Sequence, residues 1–461
     1  MQQREVDVVV IGAGTAGMTA YKTAKKANKR VLLIEADQYG TTCARVGCMP
    51  SKLLIAAADT AATVAQSHKF GINVKSMQVD GKAVMQRVRD ERDRFVSFVL
   101  NDIDSFPAQD KLKGRAKLLD DHTVQVDDHT CITTNSVVLA TGSSAFVPKE
   151  LLDAGDKLVQ TDDVFYWQDL PKRIVVVGAG VIGLELGIAL QRLGVEVTVL
   201  NRGQRIAGIS DPKVLSYAQR IVGQTVQLEL DTQVTGTELS GDQVIVHYRR
   251  QGQAHQVQAD FVLSAAGRKP NIANLGLENT SAQLDDRGMP QFDKDTLNIT
   301  HTPVFFAGDV NALHPLLHEA TDDGYQAGLN AAHWPQKPKT IDRRAPLAIV
   351  FSEPQILKVG QSYAELESSQ IRIGAVDFAN QGRSRILLKN AGLLRVYADK
   401  QSQRFLGAEM VGPAAEHLAH LLAWSLQMQL TIKQMLAMPF YHPVIEEGLR
   451  TALRDAAQNH T

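Results

Sequence analysis

Two periods of apolar positions run along this chain. Val8 to Ile11 is an unbroken β-branched run closed by glycine, the pattern of a strand buried on both faces. Behind it, in "DVVVIGAGTAGMTAYKTAKKANKRVLLIE", an alanine-rich stretch predicts a helix, and a second apolar run, Val31 to Ile34, ends in Glu35. The same order returns in "RIVVVGAGVIGLELGIALQRLGVEVTVLNR". Between the two copies, "KAVMQRVRDERDRFVSFVLNDI" places Val84, Val88, Phe95 and Val99 at near-helical spacing, with its charges on a solvated face. Farther on, "LAIVFSEPQILKVG" and several short strands precede an apolar helix, "LAHLLAWSLQMQL", expected at a core or a subunit contact.

The repeated strand–glycine–helix unit predicts an α/β fold with two Rossmann-like dinucleotide-binding layers. Gly12, Gly14 and Gly17 in the first copy, and Gly178, Gly180 and Gly183 in the second, allow a tight turn and close backbone approach to a pyrophosphate. The following helix N-terminus supplies unpaired N–H groups and positive potential. In the first copy an acid, Glu35, stands where it can accept from both hydroxyls of an adenosine ribose. The equivalent position in the second copy is Asn201, followed by Arg202. A carboxylate there would repel a 2′-phosphate, whereas an amide beside a guanidinium accepts one. Two such sites on one chain suggest FAD held permanently and a nicotinamide nucleotide, NAD(P)(H), that comes and goes, with a lean towards NADPH.

Composition narrows the class. The chain has 461 residues, 44% of them hydrophobic, enough for several cores. A net charge of −1 gives no reason to expect a nucleic-acid or membrane-surface partner. The first residues enter a strand without a signal-peptide layout, and three cysteines in so long a chain do not form a secreted disulfide framework, so a reducing cytoplasm is expected. Two of the three cysteines, Cys43 and Cys48, lie together in "TTCARVGCMPSK", open to reading as a staple, a metal clip or a redox centre. A zinc clip wants about four ligands, and Cys131 sits alone in a predicted strand. Glu416, His417 and His420 fall on one helical stretch and read as an exposed face; no metal is expected.

With the cysteine segment, both cradles and the C-terminus in view, the chain resembles the pyridine nucleotide–disulfide oxidoreductases over essentially its whole length, and within them most closely the dihydrolipoamide dehydrogenases. "TCARVGCMPSK" is similar to the redox-active CxxxxC segment, with Thr41 in place of the usual glycine before Thr42. The resemblance implies that Cys48 lies against the flavin and that Cys43 is the interchange thiol. Lys52 and Glu185 match the pair the family places near the flavin ring. Gly114, the stretch Ala140, Thr141, Gly142 and Ser143, and Asp309 in "FFAGDV" match flavin-contacting positions, while "AAGRKPN", with Gly267 and Arg268, matches the segment closing the nicotinamide domain. His314 and His318 beside the flavin segment are expected to pack or to support backbone. "YHPVIEEGLR" resembles the C-terminal motif whose His442, oriented by Glu447, reaches the cysteines of the other subunit of a homodimer; Val444 replaces a usual threonine.

The family pattern also implies an order of domains. Residues 1–150 would be the first part of the FAD domain with the redox pair, 151–270 the NAD(P) domain, 271–340 the second part of the FAD domain, and 341–461 an α+β interface and dimerisation domain. The linker "HWPQKPKTIDRR" marks the last boundary. The expected activity is FAD-dependent exchange of electrons between NAD(P)(H), the Cys43–Cys48 disulfide and an external dithiol or disulfide, with dihydrolipoamide as the first substrate to test. An NADPH-dependent reductase of glutathione or another small disulfide is the alternative within the class, and a flavin-bound redox sensor the alternative outside it.

Overall fold

The computed structural model describes residues 1–458; the last three residues of the expected interface segment lie outside the described residues. The chain divides into two compact units. The first comprises Met1–Pro50, Arg89–Phe146 and Arg268–Arg343; the second comprises Ser51–Val88, Val147–Gly267 and the chain from Arg344 onward.

The first unit is built on a seven-stranded sheet in the order Lys111–Lys113, Val31–Glu35, Gln2–Ile11, Thr130–Leu139, Thr123–Val126 and Ala116–Leu118, with Val304–Phe306 also pairing Thr130–Leu139. Its centre is parallel: Val8 to Ile11 register against Val31 to Ile34 on one side and Ser136 to Leu139 on the other. The two faces bury alternate residues, Val8, Val10, Val31 and Leu33 on one, Val9, Ile11, Leu32 and Ile34 on the other, which accounts for the unbroken apolar runs. The helices Thr15–Lys26 and Leu317–His333 cover the first face. Small residues set their approach: a Cβ added at Gly324 would lie 2.3 Å from Ala16 O, and one at Gly328 would lie 2.6 Å from Ala20 O.

The second unit holds the other repeat. Its five-stranded sheet runs Gln227–Glu229, Glu196–Leu200, Arg173–Val177, Phe261–Ser264 and Leu158–Gln160, parallel throughout. The helix Val181–Arg192 that follows the glycines is buried from Gly183 to Leu190. A three-stranded antiparallel meander follows, Thr232–Ser240, Gln243–Arg250 and Gln253–Ala259. The C-terminal part is an antiparallel sheet of five strands, from Leu347–Val350 at one edge to Ile371–Asp377 at the other. The helices Ala415–Gln427 and Glu446–Gln458 share its core through Leu418, Leu422, Leu449 and Leu453. The architecture is thus the expected α/β fold with two Rossmann-like layers and a C-terminal α+β portion.

One buried polar network ties parts of the second unit together. Asp211, fully buried, caps the helix Pro212–Thr225 through Lys213 N and Val214 N, and accepts from Arg395 Nη1 at 2.7 and 2.5 Å and from Tyr397 OH at 2.9 Å. Glu409, also fully buried, accepts from Ser210 Oγ at 2.6 Å, from the amides of Ser210 and Asp211, and from Tyr363 N. Burial, with the charges of Glu409 and Asp211 behind it, drives the Tyr397 phenol far above its ordinary value, so it stays a donor.

Candidate active site and its two nucleotide cradles

In the first cradle Gly12 has φ +104°, and a Cβ there would lie 2.3 Å from Ala140 O; a Cβ at Gly17 would lie 1.8 Å from Gly12 O. These two glycines are therefore required by the chain's own packing. Gly14 differs. It caps the helix Thr15–Lys26 with φ −76°, and a Cβ there would meet nothing within 4 Å. A glycine that internal packing does not require, at a helix start with no side-chain cap, fits a pyrophosphate seated on the helix N-terminus. Glu35, at the end of the second strand, accepts from Ala13 N at 2.7 Å through one oxygen and from Asp37 N at 2.9 Å through the other. The backbone thus fixes the direction of its carboxylate.

The second cradle repeats this geometry. Cβ atoms at Gly178 and Gly183 would lie 2.3 Å from Ala265 O and 2.0 Å from Gly178 O, while one at Gly180 would meet nothing. Asn201 takes the part of Glu35, accepting from Ala179 N at 2.9 Å. Its amide Nδ2 donates to Gly203 O at 2.8 Å and Arg205 O at 3.0 Å, which winds residues 201–205 into a loop. Arg202 and Arg205 both stand exposed on that loop. Arg205 escaped the sequence reading, although an amide at position 201 with a nearby second arginine was a usable signal.

The remaining flavin-type positions of the first unit converge. Asp309 lies in the turn Gly308–Asn311 and accepts from Ser143 Oγ at 2.9 Å. Arg268 donates to Ser143 Oγ at 2.8 Å and to Ser143 O at 2.5 Å. Expected on the nicotinamide side, Arg268 is thus brought to Ser143 and Asp309. Thr141 and Asn271 clasp each other, Thr141 Oγ1 to Asn271 O at 2.7 Å and Asn271 Nδ2 to Thr141 O at 2.9 Å. Gly142 and Gly267, with φ of +69° and +117°, flank these contacts and have nothing near an added Cβ. Gly114 is a packing glycine: its Cβ would lie 2.4 Å from Asp127 Oδ2, and its N–H donates to Glu35 O.

The cysteine segment is a short helix, Thr42–Val46, a glycine, and then the helix Cys48–Gln66. Thr41 caps the first, its Oγ1 accepting from Ala44 N at 3.2 Å, with φ +49° and ψ 145°. Gly47 allows the turn to close: a Cβ there would lie 3.0 Å from Thr42 O and 3.2 Å from Cys43 Cα. Cys43 is half-buried and Cys48 exposed. One helical turn after Cys48, on the same face, Lys52 Nζ meets Glu185 Oε2 at 2.7 Å and lies 4.6 Å from the centre of the Phe351 ring. Glu185, 5% exposed, also accepts from Phe351 N at 2.9 Å. Together these contacts hold the ammonium.

At the C-terminus His442 Nδ1 lies 3.0 Å from Glu447 Oε2, and its side chain is 80% exposed. Glu447 also accepts from Val444 N at 3.3 Å and from Arg450 Nη2 at 2.8 Å. Burial pushes the Glu447 carboxyl up, but the His442 and Val444 donors and the nearby positive charges outweigh it and hold the carboxyl below the ordinary range. Val444 therefore contributes its amide to Glu447, while its side chain lines an apolar groove of about 560 Å³ with Trp424, Met428, Met435 and Tyr441. Trp424 is 66% exposed on that face.

Of the other histidines singled out in the sequence, His420 Nδ1 is 2.7 Å from Glu416 O, His417 lies 3.7 Å from the Glu416 carboxylate and His318 lies 3.8 Å from Glu319, while His314 is exposed. Cys131 pairs with Gln3 and Gln125 within the sheet. Among the described residues no group of three or more His, Cys, Asp or Glu could hold a metal, and no helix is long and apolar enough to cross a membrane.

Comparison with known proteins gives concordant matches. The profile of the pyridine nucleotide-disulphide oxidoreductases matches residues 6–325, and that of their dimerisation domain matches residues 347–453. A dihydrolipoyl dehydrogenase of Chlamydia pneumoniae is 29% identical over 452 residues, covering 96% of this chain and 95% of the relative. One from Bacillus subtilis (strain 168) is 29% identical over 453 residues, covering 96% and 94%. Among solved structures, the HOCl-induced flavoprotein disulfide reductase RclA from Escherichia coli superposes with a TM-score of 0.84 at 24% identity, covering 97% of this chain and 99% of that one.

Proposed function

Because the chain belongs to the pyridine nucleotide-disulphide oxidoreductases, a family of enzymes that use FAD and NAD(P)H, we propose that it exchanges electrons with an external dithiol or disulfide through Cys43 and Cys48. Dihydrolipoamide is the first candidate substrate, the one implied by the names of its relatives. The setting proposed is the cytoplasm, in keeping with the sparse cysteines. The observation that carries the reading is the placement of two cysteines about the Gly47 turn, at the head of a helix whose next turn pairs Lys52 with buried Glu185.

Bound FAD supplies two-electron transfer between the nicotinamide nucleotide and the protein's sulfur pair. The Gly14 helix start and Glu35 would hold its pyrophosphate and ribose, Asp309 would hold its ribityl chain, and Lys52 would lend it positive charge. The protein's own chemistry is thiol–disulfide exchange. In the reductive direction the Cys43 thiolate attacks one sulfur of the substrate disulfide, forming a mixed disulfide and releasing a thiolate. His442, as imidazolium, gives that leaving sulfur its proton. The Cys48 thiolate then attacks Cys43 sulfur, the second substrate sulfur departs as a thiolate that takes its proton from solvent, and the Cys43–Cys48 disulfide is closed. Two electrons have moved from protein to substrate; dithiol oxidation is the reverse. Glu447 fixes the imidazole with Nδ1 toward the carboxylate, leaving Nε2 for the proton.

The C-terminal match to a dimerisation domain supports a homodimer. In it the Trp424–Tyr441 face is covered by a second copy, and His442 serves the partner's sulfurs. A second reading, an NADPH-dependent reductase of a small disulfide, is favoured by one feature: a neutral Asn201 with Arg202 and Arg205 exposed on the loop behind it. The deciding experiment is steady-state turnover with dihydrolipoamide, lipoamide and oxidised glutathione, each with NADH and NADPH or their oxidised forms. Saturable turnover abolished in both Cys43→Ser and Cys48→Ser supports the enzyme and identifies the substrate. Negligible turnover with every disulfide, alongside reversible thiol oxidation, replaces it with a redox sensor.

A further inference from the structure

The helix Leu317–His333 carries Glu319, Asp323, Gln326 and Asn330 on one face, and all four are buried. Each grips the segment that follows the helix. Gln326 Nε2 and Asn330 Nδ2 donate to Lys339 O at 2.9 Å, and Lys339 N returns a bond to Asn330 Oδ1 at 2.9 Å. Arg343 closes the strap, Nη1 to Glu319 Oε2 at 3.0 Å and Nη2 to Asp323 Oδ1 at 3.0 Å. The other Asp323 oxygen, Oδ2, accepts from Gly308 N at 3.2 Å and Asn311 Nδ2 at 2.6 Å. Gly308 and Asn311 are the first and last residues of the turn that presents Asp309.

We propose that Arg343 is a positioning residue for the flavin: with Asp323 it forms a clamp that presets the Gly308–Asn311 turn, and so the Asp309 carboxylate, for the ribityl chain. The inference rests on the assignment of Asp309 to the flavin. Its physical basis is the division of labour on one carboxylate. The turn's donors occupy Oδ2, so compensation of the charge falls to Oδ1, where Arg343 is the cation. Burial drives the Asp323 carboxyl above its ordinary value, and Arg343 and the turn's donors act against that rise. A protonated Asp323 would offer a donor in place of an acceptor to groups that are all donors, and the turn would lose its anchor. The planar guanidinium spans Glu319 and Asp323 at once, a bridge that a point-charge ammonium cannot copy. On its other side the turn is fixed by Gly308, at φ +77°, where a Cβ would approach Ala16 Cβ to 3.0 Å.

The test measures FAD dissociation by flavin fluorescence on reconstituted full-length protein, with the melting temperature of each apoprotein recorded in parallel. Arg343→Met should weaken FAD binding about tenfold or more, the scale of a lost charge-assisted contact, and Arg343→Lys should recover part of that loss. Asn330→Ala, which loosens the same strap at its Lys339 end, should stay within about twofold of the parent because it leaves Asp323 intact. If Arg343→Met does not accumulate, Arg343→Gln removes the charge while keeping a donor and carries the same expectation. Parental FAD affinity in a folded Arg343 variant, with Asp309→Ala clearly weakened, overturns the clamp and leaves the Asp309 assignment standing. Parental affinity in Asp309→Ala overturns that assignment and the clamp with it.

Discussion

Thr41 carries a β-branched side chain at φ +49°, a backbone region glycine enters freely and threonine does not. Its hydroxyl still caps the helix bearing Cys43. Two substitutions separate strain from capping. Thr41→Gly should raise stability by about 1 kcal/mol, strain relief exceeding the loss of a cap and the added chain entropy. Thr41→Ala keeps the strain and removes the cap, so it should lower stability by about 1 kcal/mol. Thermal denaturation of the two variants checks the opposite signs. His442→Ala should slow dithiol exchange on the order of 10²-fold while leaving reduction by the nicotinamide nucleotide near parental in stopped-flow measurements. The pH dependence follows from Glu447. Its folded value is depressed, so what the His442–Glu447 contact contributes is complete above 4.5 and is lost only as pH falls through the lower folded value. The exchange profile should therefore show no carboxylate step above 4.5; a step between pH 4.5 and 6 would contradict this.

Among the elements, the two glycine cradles were legible because strand, turn and helix each leave a local mark in sequence. Their division of labour was not. Gly17 is forced by the carbonyl of Gly12, whereas Gly14 faces open space. Gly17→Ala should thus lower apoprotein melting temperature, whereas Gly14→Ala should leave it unchanged and weaken FAD binding about tenfold through crowding of the pyrophosphate. Equal melting losses in both would contradict the distinction. The helix Gly81–Asp104 was visible from its spacing, but it fully buries Met85 and Val88, while Val84, Phe95 and Val99 remain half-exposed. Periodicity locates an apolar stripe; which edge of it goes deepest depends on the neighbour. Arg268 exposes the limit most clearly. Its motif is readable, yet its engagement with Ser143, which in turn bonds Asp309, depends on tertiary closure across more than a hundred residues.

At the scale of the whole molecule, the network around Asp211 joins the helix after the second cradle to the C-terminal sheet. Arg395→Met would leave Asp211 buried without its cation, and should cost about 3–5 kcal/mol in chemical denaturation. A loss under about 1 kcal/mol would mean the carboxylate is compensated elsewhere. No sequence pattern announces this network, since its members stand 184 and 198 positions apart.

The threading of the first unit bears on how the protein is made. The strands Gln2–Ile11 and Val31–Glu35 leave the ribosome early, yet the helix Leu317–His333, which covers one face beside Thr15–Lys26, and the strand Val304–Phe306 come about 300 residues later. At ordinary translation rates of about 5–20 residues per second, the part of that face beyond Thr15–Lys26 stays uncovered for roughly 15–60 seconds. The nascent sheet therefore lacks the Leu317–His333 part of its cover while the intervening segments are still being synthesised. Chaperone supply, more than the intrinsic stability of the finished unit, should then set the yield of this protein in a heterologous host.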